Sequence, residues 1–177
     1  MDAAGTERGR IVVGIDGSTH ADDALRWAVG EAARRGLAVR AVVAHEPPDA
    51  WMSPYGVPLL ADSDEIRQAV EDSARTRVEA VRRELDEALR AVPVDVVAVT
   101  GPVGWVLEQE ARGAELLVVG HRGRGALRST LLGSVGLSVV LRAPCPVTVV
   151  PAPRRAAEVA ADEEVALAGP LPVGPIA

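Results

Sequence analysis

The sequence predicts an α/β protein, doubly wound around a mainly parallel sheet with both faces covered. Three observations predict it. Short β-branched apolar runs recur along the chain. Segments with helical spacing separate them, and strands alternating with helices favour parallel pairing through crossover connections. Finally, 48% of the 177 residues are apolar while only 2% are aromatic and none is Phe, so the core is built from Val, Leu, Ile and Ala.

The elements follow in order. "RIVVGIDGS" reads as a strand near residues 11–15, too short and too β-branched for a helix. Ser18 or Thr19 can cap the helix that follows, where Ala21, Leu25, Ala28, Val29 and Ala32 recur at helical spacing and Gly36 ends the pattern. A second strand, "LAVRAVVA", covers 37–44. Residues 45–61 contain four prolines and read as a long loop, with Trp51 placed either over a ligand or against the next helix. From Asp62 to about Arg90 one long helix is predicted, with Ile66, Val70, Ala74, Val78, Val81, Leu85 and Leu89 as a single apolar stripe. "VDVVAV" (94–99) is a third strand, and Pro102 suits the first turn of a short helix. "AELLVVG" is the fourth strand. A helix from about Ser134 to Arg142 and a strand at 146–151 complete the pattern. Residues 1–9 are expected to be flexible, 10–151 to form one domain, and 152–177 to be a largely disordered tail.

Charge and composition narrow the function. The net charge is −6 and no Lys is present, so all 19 basic residues are Arg, a poor basis for nucleic-acid binding through an overall field. A single Cys145 excludes an intrachain disulfide and reads as a small apolar residue entering a strand. No signal peptide is visible and no apolar run reaches the ~20 residues of a membrane helix, so the cytoplasm is the expected location and no membrane partner is expected. His20, His45 and His121 lie far apart without metal-ligand spacing, and a surface role is expected for His20. No catalytic constellation stands out.

The stretch "LLVVGHRGRGALRSTLLGSVG" points to an anion. In a doubly wound sheet, ligands bind outside the carboxyl ends of the strands, where the chain order reverses. Gly14-Ile15-Asp16 follows the first strand; Gly120, Gly123 and Gly125 follow the fourth. Glycines let backbone N–H groups approach a ligand. Gly133-Ser134 stands at a helix start, where free N–H groups and the helix dipole favour negative charge. Arg122, Arg124 and Arg128 bring positive charge, and a phosphate chain fits these features. The glycines alone also fit a plain turn with Ser134 as an ordinary N-cap. A Walker loop is excluded by the lack of Lys, and the GxGxxG dinucleotide fingerprint is missing, because the spacing here is GxxGxG and follows the wrong strand.

Gly120-x2-Gly123-x9-Gly133-Ser134 resembles the G-x2-G-x9-G-[ST] motif of the ATP-binding branch of the universal stress protein family. "IVVGIDGS" is similar to the family's opening strand, and "LLGSV" with "APCPVTVV" to its closing segment, so the resemblance covers about residues 10–151. It implies a five-stranded parallel sheet of order 3-2-1-4-5, of the Rossmann-like, adenine nucleotide alpha hydrolase-like type. It also implies ATP as ligand. Asp16 would then hold the adenine or ribose end, with the backbone near Gly14 and Ala44 lining the base. Gly120, Gly123 and Gly125 would wrap phosphates and ribose. Gly133, Ser134 and Val135 would bind phosphates bridged by Mg²⁺. Two positions depart from the commoner pattern: His121 replaces a frequent Ser, and Gly136 a frequent hydroxyl residue. The family commonly pairs as a homodimer through its last strand, here 146–151. The implied function is nucleotide-dependent regulation in a stress response. Two other readings remain, a slow ATP-cleaving enzyme and a nucleotide-independent dimeric scaffold.

Overall fold

The computed structural model describes residues 9–46, 63–121 and 133–151. Five parallel strands form one sheet: β1 (Arg10–Gly14), β2 (Ala38–His45), β3 (Val94–Thr100), β4 (Leu116–Gly120) and β5 (Val147–Val150). Their order is β3-β2-β1-β4-β5, as the family resemblance implies. The register pairs Val13 with Val118 and Gly14 with Val42, so β1 lies between β2 and β4, and β2 runs on past the end of β1 to His45.

The sheet is apolar on both faces because helices cover both. Ile11, Val13, Leu116 and Val118 pack beneath α1 (Thr19–Arg35) and α2 (Ser63–Arg83). Val12, Leu117 and Val119 pack beneath α4 (Val103–Glu110) and α5 (Ser134–Arg142). The α1 helix begins where Ser18 Oγ accepts the Ala21 N–H and ends at Gly36, whose φ of 67° is the left-handed conformation that suits a helix stop. Its sheet-facing stripe, Ala21, Ala24, Leu25, Ala28, Val29 and Ala32, is mostly small and buried, which lets the helix lie close to the strands. Two charges are buried with it. Asp22 pairs with Arg77 of α2, and Glu31 with Arg34 and Arg35 of its own helix.

The single long helix expected over 62–90 is broken. The α2 helix stops at Arg83, and a separate turn, α3 (Glu87–Arg90), starts after Asp86, whose ψ of 155° is extended. Tight bonds from Glu84 N to Val81 O and from Leu85 N to Arg82 O close α2, and Arg82 Nη2 donates to the carbonyls of Arg90 and Val92. Leu85 and Leu89 still pack on the same core cluster, so the apolar stripe runs through the break. Smaller shifts are local. β1 starts one residue early although Ile15 N still bonds to Val42 O, His45 ends β2 rather than opening the loop, and Pro102 is the N-cap of α4 rather than its first residue. The expectations for the Pro-rich loop from residue 47 onward, for Trp51, for residues 1–8 and for the tail 152–177 lie outside the described residues.

Candidate functional site

At the end of β1 the chain turns sharply into α1. Asp16 Oδ1 accepts the Ser18 N–H at 2.9 Å, Gly17 takes a φ of 78°, and Ser18 caps the helix. The Asp16 carboxylate therefore holds the turn that sets the first turn of α1 over the carboxyl end of the sheet. Gly14, the last residue of β1, has Leu107 of α4 against it. A Cβ there would stand 3.0 and 3.2 Å from the two Leu107 methyl carbons.

At the end of β4, Gly120 is a point of close approach. A Cβ on it would lie 2.7 Å from the His20 carbonyl oxygen and 2.9 Å from the His20 carbonyl carbon. The next residue ties three elements together. His121 N donates to Val150 O of β5 at 2.9 Å, and His121 O accepts from Gly133 N at 3.0 Å. That second bond ties the end of β4 directly to the residue that opens α5. Gly133 is the N-cap of α5, with φ −67° and ψ 160°, and has no side chain to occupy the first N–H groups of the helix. Half-buried Val135, in that first turn, packs against the α4 side of the core. On the other side of β1, half-buried Ala44 sits near the carboxyl end of β2 and joins the same cluster.

Gly14, Asp16, Ala44, Gly120, Gly133 and Val135 therefore gather at one end of the sheet, as does the backbone of Ser134. Arg122, Gly123 and Gly125, with Arg124 and Arg128, lie outside the described residues. The expectation for His20 needs correction. Its ring is half-buried and meets His121 edge-on, with centroids 4.5 Å apart and planes at 76°. No local signal announces this pair; only the β1–β4 adjacency brings the first turn of α1 to the end of β4. Among the described residues, no three acidic, His or Cys side chains form a metal cluster.

Cys145 packs beside the α4–α5 core, and burial pushes its thiol above the ordinary range, opposed by the Leu117 amide. A raised thiol is mostly un-ionised at neutral pH and a poor nucleophile. Cys145 is thus expected to react with a thiol reagent at neutral pH well below the rate of free cysteine, recovering the ordinary rate in urea. Fast labelling of the folded protein would contradict this.

The universal stress protein family model matches residues 7–151. The chain is 38% identical over 146 residues to Universal stress protein Rv2005c of Mycobacterium tuberculosis, covering 79% of this chain and 47% of that one. It spans about half the length of the curated relatives it matches. Among solved structures, it is similar to a universal stress protein in complex with cAMP, at 25% identity and a TM-score of 0.55, covering 82% of this chain and 98% of the other. The Archaeoglobus fulgidus universal stress protein in complex with dAMP shares the fold, at 23% identity and a TM-score of 0.52, covering 81% and 98%.

Proposed function

The chain belongs to the universal stress protein family, and on that premise we propose that it binds ATP with Mg²⁺ and acts through that binding as a cytoplasmic stress-response regulator. The observation that carries the proposal is the bond from Gly133 N to His121 O. It holds the start of α5 against the end of β4, beside the end of β1. A glycine-capped helix start presents N–H groups and a positive dipole end, which suit a phosphate. Relatives in complex with cAMP and dAMP support an adenine nucleotide as the class of ligand.

Within this proposal Asp16 takes the adenine or ribose end, the backbone of Gly14 and Ala44 lines the base, and Gly133, Ser134 and Val135 take phosphates. Gly120, Arg122, Gly123 and Gly125 close around the phosphates and ribose. The donor set fits Mg²⁺ held mainly by phosphate and water oxygens, because the described residues offer no acidic cluster and Mg²⁺ retains waters readily. The metal would neutralise phosphate charge. Among the described residues, no helix is long and apolar enough to cross a membrane.

The partner we propose is a second copy, joined through the strand at 146–151. β5 is an edge strand, and the α5 helix beside it exposes Leu137, Val140 and Leu141, which share one helical stripe.

Acid release of nucleotide from the purified protein, identified by chromatography, tests the nucleotide reading. Near-stoichiometric adenine nucleotide in the wild type, lost when Gly123 is replaced by a bulky residue in a folded variant, is the expected result. An empty protein that ignores added ATP would favour the nucleotide-independent scaffold. Multiple-turnover release of ADP would favour an ATP-cleaving enzyme.

A further inference from the structure

A five-stranded open sheet has two edges, and those of this sheet are treated differently. The β3 edge comes first. Val39 N bonds to Pro93 O and Gly101 N to His45 O, so the odd-numbered residues of this segment turn their backbone groups inward to β2. The N–H and C=O groups of Val94, Val96, Ala98 and Thr100 therefore point outward, away from the sheet. Two of these outward groups are occupied by side chains from α2. Arg75 Nη2 donates to Val96 O at 3.4 Å, and Glu71 Oε2 accepts from Ala98 N at 3.5 Å. Donor meets acceptor and acceptor meets donor, and the two side chains are also paired with each other.

At β5 the inward groups are those of Pro146 and Val150, which bond to Leu117 N and His121 N. Val147 and Val149 therefore turn their N–H and C=O groups outward. Among the described residues, no side chain bonds to these outward groups.

We propose that Glu71 and Arg75 form an edge guard that closes β3 to strand addition, leaving β5 as the edge at which a second copy can add. With two open edges, copies of an open sheet can add at both sides and grow; with one, pairing stops at two. The expectation of a closed pair rests on the β5 dimer proposed above, but the guard does not. Arg75 donates to Glu71 and holds its carboxyl below the usual range against the opposing effect of burial, with further help from the Ala98 amide and Arg67. A lowered carboxyl stays ionised above the ordinary glutamate range and protonates only as pH falls through its folded value, so the guard is closed at neutral pH.

The test is light scattering on size-exclusion fractions over the micromolar range, for the wild type, the double variant Glu71→Ala/Arg75→Ala and the swap Glu71→Arg/Arg75→Glu. The swap keeps an ion pair on the helix but sets a donor against the Ala98 N–H and an acceptor against Val96 O. Both folded variants are expected to form concentration-dependent species at least twofold heavier than the wild type. If the wild type proves monomeric, the β5 dimer fails, and the guard still predicts that both variants pair. Folded variants that keep the wild-type mass at every concentration would overturn the guard. Should neither variant fold, amide exchange at Ala98 in the single variant Glu71→Ala decides. At least tenfold faster exchange at Ala98, with Val13 and Val118 still protected, supports the guard; an unchanged Ala98 rate overturns it.

Discussion

Replacing Gly120 with valine is expected to destabilise the fold before any ligand is considered. The atoms in the way are the carbonyl carbon and oxygen of His20, at 2.9 and 2.7 Å from the added Cβ. They belong to the first turn of α1 and cannot rotate aside as a side chain would. Either α1 lifts from β4 or β4 bends away from it, and both movements open a core in which Leu25, Val29 and Val118 are almost fully buried. Overpacking of this kind typically costs about 1–3 kcal/mol, and a backbone obstruction belongs at the upper end. For a chain of this size, about 3 kcal/mol lowers the melting temperature by about 6–12 °C. Thermal unfolding without nucleotide measures it. Gly30 is the control, since nothing lies within 4 Å of a Cβ there and its place inside α1 favours alanine. Gly30→Ala is expected to be neutral or stabilising. If Gly120→Val loses nucleotide while its melting temperature stays at the wild-type value, Gly120 serves the ligand alone.

Asp16 carries two roles in this reading, and two substitutions separate them. The structure gives its carboxylate a local task, accepting the Ser18 N–H at the entrance to α1. The proposed function adds a charged hydrogen bond to the nucleotide. Asp16→Asn keeps a carbonyl oxygen for the Ser18 N–H and removes the charge. Asp16→Ala removes both. Loss of a hydrogen bond to a charged group is typically ~1.5–3 kcal/mol, or roughly ten- to a hundredfold in affinity. Both variants are expected to weaken ATP by about that factor in a titration, and only the alanine variant to lose stability as well, by about 1 kcal/mol. Wild-type affinity in both would leave Asp16 as a turn residue and remove it from the site.

Much of this architecture was legible because its causes are local. The alternation of β-branched runs with helical stripes marks five strands and the helices between them. Ser18 and Gly36 bracket α1 as a cap and a stop should. The break after Arg83 was not legible, because no Gly or Pro marks it, and Leu85 within it and Leu89 beyond it still face the core. Apolar spacing reports which face is buried, not whether the backbone between two buried residues stays helical.

By itself, the amino-acid sequence determined the fold class, the placing of Gly14 and Asp16 at the end of one strand and of Gly120 at the end of another, and the helix that starts at Gly133-Ser134. The order of the strands rested on resemblance and is now observed. Tertiary structure alone decided that Gly120 meets the backbone of His20, that His20 and His121 touch, and that Glu71 and Arg75 reach the outer groups of β3. The physical reason is range. Caps, stops and periodicity act within a few residues of chain. His20 and His121 meet only because burying both faces of one sheet forces β1 and β4 side by side, and no signal along the chain carries that distance.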